Sequence, residues 1–453
     1  MYGLVHSAIF FSGAAVARGT FVSPLSSTAL PLARGGIVHH IPRHRLKSPS
    51  KSPGITLSNE HISFKKPTKS LSKKAETTLG IVLGLSALAT NAAVAHAAKN
   101  AVASTASASN IILPTTPTLI LASVLPTLLG FYKSEYGVSY GYGTAIAASS
   151  YLVLSSIATA TGVQLIPTGP FEPSTILRAI QSFATNMKSL ISTSLPAFHA
   201  ASLLFYGTRL DLFLLYRECC LPRFREMRER IEERAKKQGS RIKRLPFLAS
   251  CAFLYFCMMC PLLVTSQVCA GLAMFSGIKT GLSCTGSLVF LEQALKLFVF
   301  LTLSGFLLGA VGDMTKSIGK LTKGEDALIT GGVFRFFRHP NYTGEVIGWV
   351  SSCLAAFTAV AWKVAKGGAN GLVLWKTMIP HLIMSVMGAI GISFVLGTAT
   401  AGLEYRQNEK YGETEEYKQW VKTSWVGFTM GQRKVDNGKN QGSAEKEENN
   451  AQE

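Results

Sequence analysis

Apolar residues after Lys74 occur in long blocks that short polar segments separate. A helix that crosses a membrane needs about 20 predominantly apolar residues, and several blocks reach that length. The clearest are Thr78–Ala98, Ile111–Phe131, Gly141–Ile166, Phe247–Met274, Leu288–Gly312 and Ile379–Thr400; Leu195–Tyr216 and Glu345–Trp362 carry more polar residues. The pattern predicts an all-α fold, a polytopic integral membrane bundle of about six to eight transmembrane helices.

The same blocks divide the chain into five predicted regions. Residues 1–75 are a targeting presequence, 76–216 hold the N-terminal transmembrane helices, and 217–246 form a charged loop or helix. Residues 247–430 form a C-terminal membrane domain. The tail 431–453 is polar and lacks aromatic residues, so it is predicted to be disordered.

The N-terminal region has the composition of a targeting segment. No acidic residue precedes Glu60, whereas Ser, Arg and Lys are frequent, which is typical of an organelle transit peptide. Leu4–Ala17 is a short apolar run that ends in small residues, like a signal peptide with its cleavage site. A signal sequence before a transit-like segment favours a plastid membrane; the endoplasmic reticulum and the mitochondrion are the alternatives.

Composition agrees with a membrane protein and bears on its partners. Of 453 residues, 47% are hydrophobic and only 15% are charged, against about 25% charged residues in soluble proteins. The mean hydropathy is +0.26. The net charge of +20 comes largely from residues 1–75 and from Arg217–Arg244, so it does not form the basic stripe of a nucleic-acid-binding protein. We expect the partners to be the lipid bilayer and a lipophilic small molecule.

The segment Arg217–Arg244 is densely charged. Its Arg and Glu residues recur at i,i+4 spacing, which predicts a solvated helical loop. Because Arg and Lys are in excess, this segment marks the side of the membrane that is not translocated.

The cysteines give little sign of a metal or disulfide site. Cys257 and Cys260 have the spacing of a metal-binding pair, but their flanks are apolar. No second pair and no nearby histidine completes a zinc site. We therefore expect small buried side chains in a membrane helix, and we predict no metal ion.

The most concentrated polar cluster is Arg335–Trp349, with the sequence RFFRHPNYTGEVIGW. Desolvating so many polar groups at a membrane boundary costs free energy unless they contact a ligand or one another. Gly331-Gly332 permits a turn, and Pro340 restricts the preceding His339 toward an extended conformation. The cluster predicts a break in regular structure, followed by a helix that begins near Thr343, at an active or cofactor site.

The side chains of this cluster suit both ligand binding and proton transfer. Arg335 and Arg338 can bind phosphate or carboxylate groups through charge-assisted hydrogen bonds. Tyr342 and Glu345 can orient a reacting group or transfer a proton to it. His339 can do either.

Polar elements flank the cluster on both sides. Upstream, Asp313, Lys316 and Lys320 lie on one helical face, and the two lysines suit a phosphate-bearing ligand. Downstream, Glu404–Gly412 and Glu416-Tyr417 are predicted to form an amphipathic helical end.

Together these motifs resemble the C-terminal domain of the steroid 5-alpha-reductase and sterol-reductase superfamily, in particular its poorly characterised membrane branch. Gly331–Trp349 is similar to the pattern GGxF…RHPNYxGE…W, and Asp313–Lys320 to the element D-x-Q-K-x-x-x-R that helps to hold NADPH. Lys410-Tyr411-Gly412 with Tyr417 is similar to the ending K-Y-G…Y. The resemblance covers roughly Gly312 to Trp425; a further similarity lies in Ser194–Glu218.

This chain departs from the family pattern at some positions. Thr315 stands where the family usually has Gln, and Lys320 where it has Arg. Leu403 replaces an acidic residue before Glu404. The N-terminal half offers no match to the residues that orient a steroid, so the resemblance supports the cofactor half of the site and leaves the substrate half open.

The resemblance implies an NADPH-dependent reductase that reduces an activated C=C bond of a sterol-like or prenyl-like substrate. It implies Tyr342, Glu345 and His339 as catalytic residues. The implied cofactor-binding residues are Asp313, Lys316, Lys320, Arg335, Arg338, Asn341, Glu404, Tyr411 and Tyr417.

A second class shares part of the pattern. Isoprenylcysteine carboxyl methyltransferases and phospholipid N-methyltransferases also carry RHPxYxG and a later acidic and tyrosine element, and their cofactor is S-adenosylmethionine. Glu404–Tyr417 fits that pattern nearly as well. Asn341 with Glu345, and the Asp313–Lys320 element, favour the reductase, because a phosphate-rich dinucleotide needs cations that S-adenosylmethionine does not.

Overall fold

The computed structural model describes residues 115–163, 165, 173–237, 239–275, 286–367 and 369–428, with only the backbone of residues 173–180 and 369–372. The described residues form helices and no strand. A single parallel bridge pairs Phe337 with Trp425. The helices are α1 (Thr116–Thr127), α2 (Leu129–Tyr132), α3 (Tyr140–Ala160), α4 (Pro173–Thr193), α5 (Leu195–Cys220), α6 (Pro222–Lys237), α7 (Leu245–Val268), α8 (Gly286–Lys323), α9 (Pro340–Gly367), α10 (Ala369–Tyr411) and α11 (Glu415–Thr423), with 3-10 turns at Ser134–Gly137, Arg241–Arg244 and Gly332–Arg335.

In this described part of the chain, five helical segments are long and apolar enough to cross a membrane. The prediction of an all-α, polytopic membrane bundle is therefore confirmed. The block Leu195–Tyr216 forms helix α5, whose first half is mostly buried. The block Ile111–Phe131 gives the short helices α1 and α2 where it is described. Thr78–Ala98, the presequence and the tail 431–453 lie outside the described residues. The five segments are Ser134–Ala160, Arg241–Val268, Gly286–Lys323, Pro340–Gly367 and Val373–Tyr411.

Helices α8 and α9 pack against each other along glycines. A Cβ atom added to Gly305 would lie 2.5 Å from the backbone nitrogen of Gly348, and one added to Gly344 would lie 2.5 Å from that of Gly309. Small residues let helix backbones approach closely in lipid, where apolar contact alone does not favour protein over acyl chains. The pair is antiparallel, so the C-terminal end of α8 lies beside the N-terminal end of α9.

The same device joins other helix pairs. Gly207 of α5 lies against α3, where an added Cβ atom would be 2.7 Å from the nitrogen of Ala147. Gly388 of α10 lies against α7, where it would be 2.7 Å from the nitrogen of Met258. These contacts fix how each helix is rotated about its axis and therefore which side chains face inward.

A buried histidine ties three helices together in the interior. His199 of α5 bonds through Nδ1 to Thr265 of α7 and through Nε2 to Ser352 of α9, both at 2.9 Å. Both ring nitrogens are thus satisfied, as a buried polar group requires.

Helix α9 begins at Pro340, three positions before the predicted start near Thr343. Proline is favoured in the first turn of a helix because its fixed φ suits the helix and its missing N–H would have no partner there. The carbonyl of His339 accepts a hydrogen bond from the Thr343 N–H at 2.9 Å. His339 therefore lies at the junction between the loop and the helix.

The segment Arg217–Arg244 is helical as predicted, but it is not simply solvated. Arg228 is 5% exposed and Glu232 8% exposed. Arg228 pairs with Glu218 at the end of α5, whose carboxylate also accepts a 2.8 Å bond from Tyr140. Glu232 pairs with Arg244 at 3.0 Å. These two ion pairs hold α6 against the end of the bundle.

The two closely spaced cysteines are small buried side chains of α7, as predicted. Cys257 lies with its sulfur 3.6 Å from that of Met384. Within the described residues, no group of His, Cys, Asp and Glu side chains has an arrangement that could hold a metal ion.

Candidate active site

Polar side chains from α5, α8, α9 and α10 meet at one end of the helix bundle. They come from the C-terminal ends of α5, α8 and α10 and the N-terminal end of α9. The basic helix α6 directly follows α5 at this end.

Glu345 is the cluster residue that lies farthest along α9 from the start of that helix, and it is 7% exposed. Its Oε2 accepts a 2.7 Å hydrogen bond from the hydroxyl of Tyr206 on α5. That hydroxyl also lies 2.9 Å from the hydroxyl of Tyr142 on α3. Since a phenol carries one proton, Tyr142 can donate to Tyr206 while Tyr206 donates to the carboxylate. The chain of three groups connects α3, α5 and α9.

An ion pair lies beside this carboxylate. Arg209 of α5 bonds through Nη1 to Asp313 of α8, and both side chains are 15% exposed. A Cβ atom on Gly309 would lie 3.8 Å both from Arg209 Nη2 and from Glu345 Cγ, so the guanidinium and the glutamate flank the same point. Nε and Nη2 of Arg209 are buried without a described hydrogen-bond partner. They are available to a further acceptor.

Positive charge is in excess at the mouth of the cluster. Lys316 of α8 interacts electrostatically with Asp313, but also with Arg217, Lys320 and Arg406. Among the described residues it forms no ion pair, and Asp313 is already paired with Arg209. Arg217 lies over the ring of Phe224 at 3.5 Å, which holds its guanidinium in place.

Tyr342 precedes Glu345 by three positions on α9, so the two residues share one face of that helix. Its phenol interacts electrostatically with Glu345, Asp313, Arg217 and Arg406. Its ring is stacked on that of His339, with a centroid distance of 6.4 Å. The hydroxyl makes no described hydrogen bond to the protein.

One wall of the cluster is built around Glu404 of α10. Its Oε1 lies 2.6 Å from His339 Nε2, and its Oε2 lies 3.4 Å from Arg338 Nη1. A carboxylate can only accept, so Nε2 of the histidine carries the proton. The backbone N–H of Arg338 donates to the carbonyl of Trp425 at 2.9 Å, which anchors the loop.

A second, outer contact closes the loop between α8 and α9 without entering the cluster. Lys410 pairs with Asp326, and the Tyr411 hydroxyl donates to the Asp326 carbonyl at 2.7 Å. Tyr417 is buried with Trp420, whose Nε1 donates to the Phe334 carbonyl at 2.6 Å. Burial raises the pKa of the Tyr417 phenol, and the nearby Glu404 carboxylate raises it further.

The structure brings most, but not all, of the sequence-predicted residues together. Lys320 donates to the backbone carbonyl of Glu325, and Tyr411 and Tyr417 belong to the outer contact. Arg335 is exposed, with no described side-chain contact. Asn341 lies with its backbone against Gly309 and Gly312. The residues in or bordering the cluster are Asp313, Lys316, Arg338, His339, Tyr342, Glu345 and Glu404.

Sequence reasoning missed the contribution of α5. Tyr206, Arg209 and Arg217 come from a helix that carried no predicted site residue, and Tyr142 and Arg406 were missed as well. The signal was present, because charged residues inside an apolar segment mark functional positions by default. Arg209 and Asp211 are such residues. Asp211 accepts a 2.8 Å bond from Thr144, and its Oδ1 is buried without a described partner.

Comparison with known proteins gives one match. A family model described as "Protein of unknown function (DUF1295)" matches residues 178–424, more than half of the chain. No curated protein matches the chain. No solved structure matches it either.

Proposed function

Because the chain belongs to DUF1295, a family of proteins of unknown function, we propose its activity from the site itself: NADPH-dependent reduction of an activated C=C bond in a lipid-soluble substrate. A sterol-like or prenyl-like substrate suits a site inside a membrane bundle. The resemblance of Gly312–Trp425 to the steroid and sterol reductases supports the same reaction class.

The excess of positive charge around Lys316 is the observation that carries the proposal. Arg217, Lys320 and Arg406 interact electrostatically with this lysine, and the one acid that also does so, Asp313, is already paired with Arg209. Such a set is costly at a membrane boundary unless an anion joins it. The phosphates of NADPH would supply that anion, because lysine and arginine bind phosphate through charge-assisted hydrogen bonds.

Unpaired buried atoms support the fit of a polar cofactor. Arg338 has a buried Nε and Gln407 a buried Oε1, each without a described hydrogen-bond partner. Arg338 pairs with Glu404, and Gln407 follows Glu404 by three positions on α10, so both lie on one face of that helix. A bound cofactor would offer partners to both, as buried polar atoms require.

The chain's own residues would divide the work as follows. When bound, NADPH supplies a hydride to one carbon of the double bond. Tyr342 is positioned to donate the balancing proton, since its hydroxyl makes no described bond to the protein and lies among the charges of the site. Glu345, held by Tyr206, fixes the deep end of the site, and the ion pair of Arg209 with Asp313 fixes its side.

A methyltransferase that uses S-adenosylmethionine is the alternative, and one observation favours it. Arg338 and His339 pair with Glu404, so the RHP element and the downstream acid that this class also carries are in contact. The cations around Lys316 distinguish the two classes, because the methyl donor has no phosphate to neutralise them.

Ligand-dependent stability separates the two proposals. The protein is purified in detergent, and its melting temperature is measured with NADPH and with S-adenosylmethionine. A ligand that binds the folded protein stabilises it by about 2.7 kcal/mol at a concentration of 100 times its Kd. We expect stabilisation by NADPH alone. Stabilisation by S-adenosylmethionine alone would overturn the reductase.

Matched variants test where the cofactor binds. The double variant Lys316→Met, Arg406→Gln should need at least roughly tenfold more NADPH for the same rise in melting temperature. Each substitution removes a charge-assisted contact to the cofactor. Lys376→Gln, which removes an exposed charge near the other end of α10, should leave the NADPH effect unchanged. An equal loss in both variants would argue against a phosphate site at Lys316.

A further inference from the structure

We propose a second binding site, for the phosphate of an anionic membrane lipid, in a cleft between α6 and the start of α7. The cleft has a volume of about 420 Å³. It lies apart from the candidate active site and does not depend on the proposed reaction. Its lining includes Ser134, Ile231, Arg234, Lys243, Arg244 and Phe247.

The charge of the cleft calls for an anion. Three cationic side chains line it, and no carboxylate is among its lining residues. Arg244 alone has a described acidic partner, Glu232, at 3.0 Å. Arg234 and Lys243 form no ion pair within the described residues. Two positive charges therefore face the cleft without compensation.

Arg244 is the most buried of the three cations. The Arg244 side chain is 10% exposed and also donates to the carbonyl of Gly130 at 3.2 Å. Its Nε is buried and has no described hydrogen-bond partner. A buried guanidinium N–H of this kind needs an acceptor, and a phosphate oxygen in the cleft would provide one.

The backbone turn before α7 brings the second cation close. Gly239 has a φ of +116°, a conformation that side-chain-bearing residues rarely adopt, and a Cβ atom there would lie 3.0 Å from Lys243 Nζ. The turn thus folds Lys243 back toward the end of α6. The arrangement is set by the backbone as well as by side-chain charge.

The position of the cleft selects a lipid over free phosphate. It lies where the apolar segment Arg241–Val268 begins. Ile242, Leu245 and Phe247 are 75%, 52% and 53% exposed next to the cations. Cations at the headgroup level with apolar side chains beside them match the two parts of a phospholipid.

Lipid binding to the whole protein tests the site. Native mass spectrometry of the purified protein would compare retention of phosphatidylglycerol and phosphatidylcholine. The wild type should retain the anionic lipid preferentially. Arg234→Gln with Lys243→Gln should weaken its binding by at least roughly tenfold, since each cation near a membrane surface contributes to anionic-lipid binding.

A matched control removes the same number of positive charges at positions outside the cleft. Lys236→Gln with Lys237→Gln removes two exposed charges from α6 that do not line the cleft. This variant should change phosphatidylglycerol binding by less than twofold. If the double variant Arg234→Gln, Lys243→Gln has a much lower melting temperature than the wild type, the two single variants are measured in its place. Equal lipid loss in both double variants, no loss in the cleft variants, or equal binding of inorganic phosphate and phosphatidylglycerol would each overturn the proposal.

Discussion

The Tyr206 hydroxyl lies 2.7 Å from Glu345 Oε2, and this contact joins α5 to α9 in the interior of the bundle. The carboxylate belongs to the RHPNYTGE motif, whereas the tyrosine belongs to a helix outside it. Tyr206 also contacts Phe306 and Trp349, with ring centroids 4.3 and 5.4 Å away. The two aromatic rings hold the Tyr206 side chain in place, and the Tyr206 hydroxyl in turn orients the Glu345 carboxylate.

Tyr206→Phe should destabilise the protein because it leaves the buried Glu345 carboxylate without its donor. The expected loss of unfolding free energy is about 1–3 kcal/mol, measured by thermal unfolding in detergent. Tyr255→Phe is the matched control, since the Tyr255 hydroxyl makes longer bonds, of 3.3 and 3.4 Å, to the backbone carbonyls of Gly137 and Val138. A smaller effect of Tyr206→Phe than of Tyr255→Phe would contradict the assignment.

Arg209→Ala should be more damaging, because it leaves Asp313 charged, largely buried and unpaired. Breaking one side of a buried ion pair costs about 3–5 kcal/mol. Adding Asp313→Asn should recover part of that loss by removing the orphaned charge. The melting temperatures of the two single variants and the double variant give the coupling between the residues. Strictly additive losses would show that the pair does not act as a unit.

Gly344→Val tests the close contact between α8 and α9. A side chain there would meet the backbone of Gly305 and Gly309, and overpacking of this kind costs about 1–3 kcal/mol or more. We expect a lower melting temperature and weaker stabilisation by NADPH, because the helices that carry Asp313 and Tyr342 are forced apart. Gly402→Ala in α10, where an added Cβ atom meets nothing within 4 Å, should be neutral or slightly stabilising. Equal melting temperatures for the two variants would refute the packing argument.

Glu232 gives a pH-dependent prediction outside the membrane segments. Burial opposes its ionisation, but hydrogen bonds from Arg244 and from the Ser134 N–H outweigh burial and lower its pKa. A carboxyl group whose pKa is lower in the folded state adds stability above its unfolded pKa of about 4.3, and loses it as pH falls through the folded value. The melting temperature of the wild type should exceed that of Glu232→Gln at pH 7, and the difference should shrink below about pH 4.3. A difference that stays constant down to pH 3 would contradict the pairing.

Local sequence patterns were enough to predict the fold class and to locate the candidate site in the chain. Membrane helices are visible in a single sequence because each needs a continuous apolar block of about 20 residues. The cluster at Arg335–Trp349 was visible because its polar residues lie close together in the sequence, and the start of α9 was predicted to within three positions. These features depend only on residues that are close together in the sequence, so they can be recognised without the tertiary structure.

Which polar groups contact one another could be seen only after the helices were packed together. Tyr206 and Glu345 are distant in sequence, as are Arg209 and Asp313, and their pairing depends on how α5, α8 and α9 are rotated. That rotation is set by backbone contacts at glycines such as Gly305 and Gly344; their GxxxG spacing marks a packing face in the sequence, but not the helix that packs on it. The same packing leaves Arg335 exposed and forms a cleft beside the charged segment before α7. Spacing along a helix gives the face of a residue, but only packing between helices gives its partner.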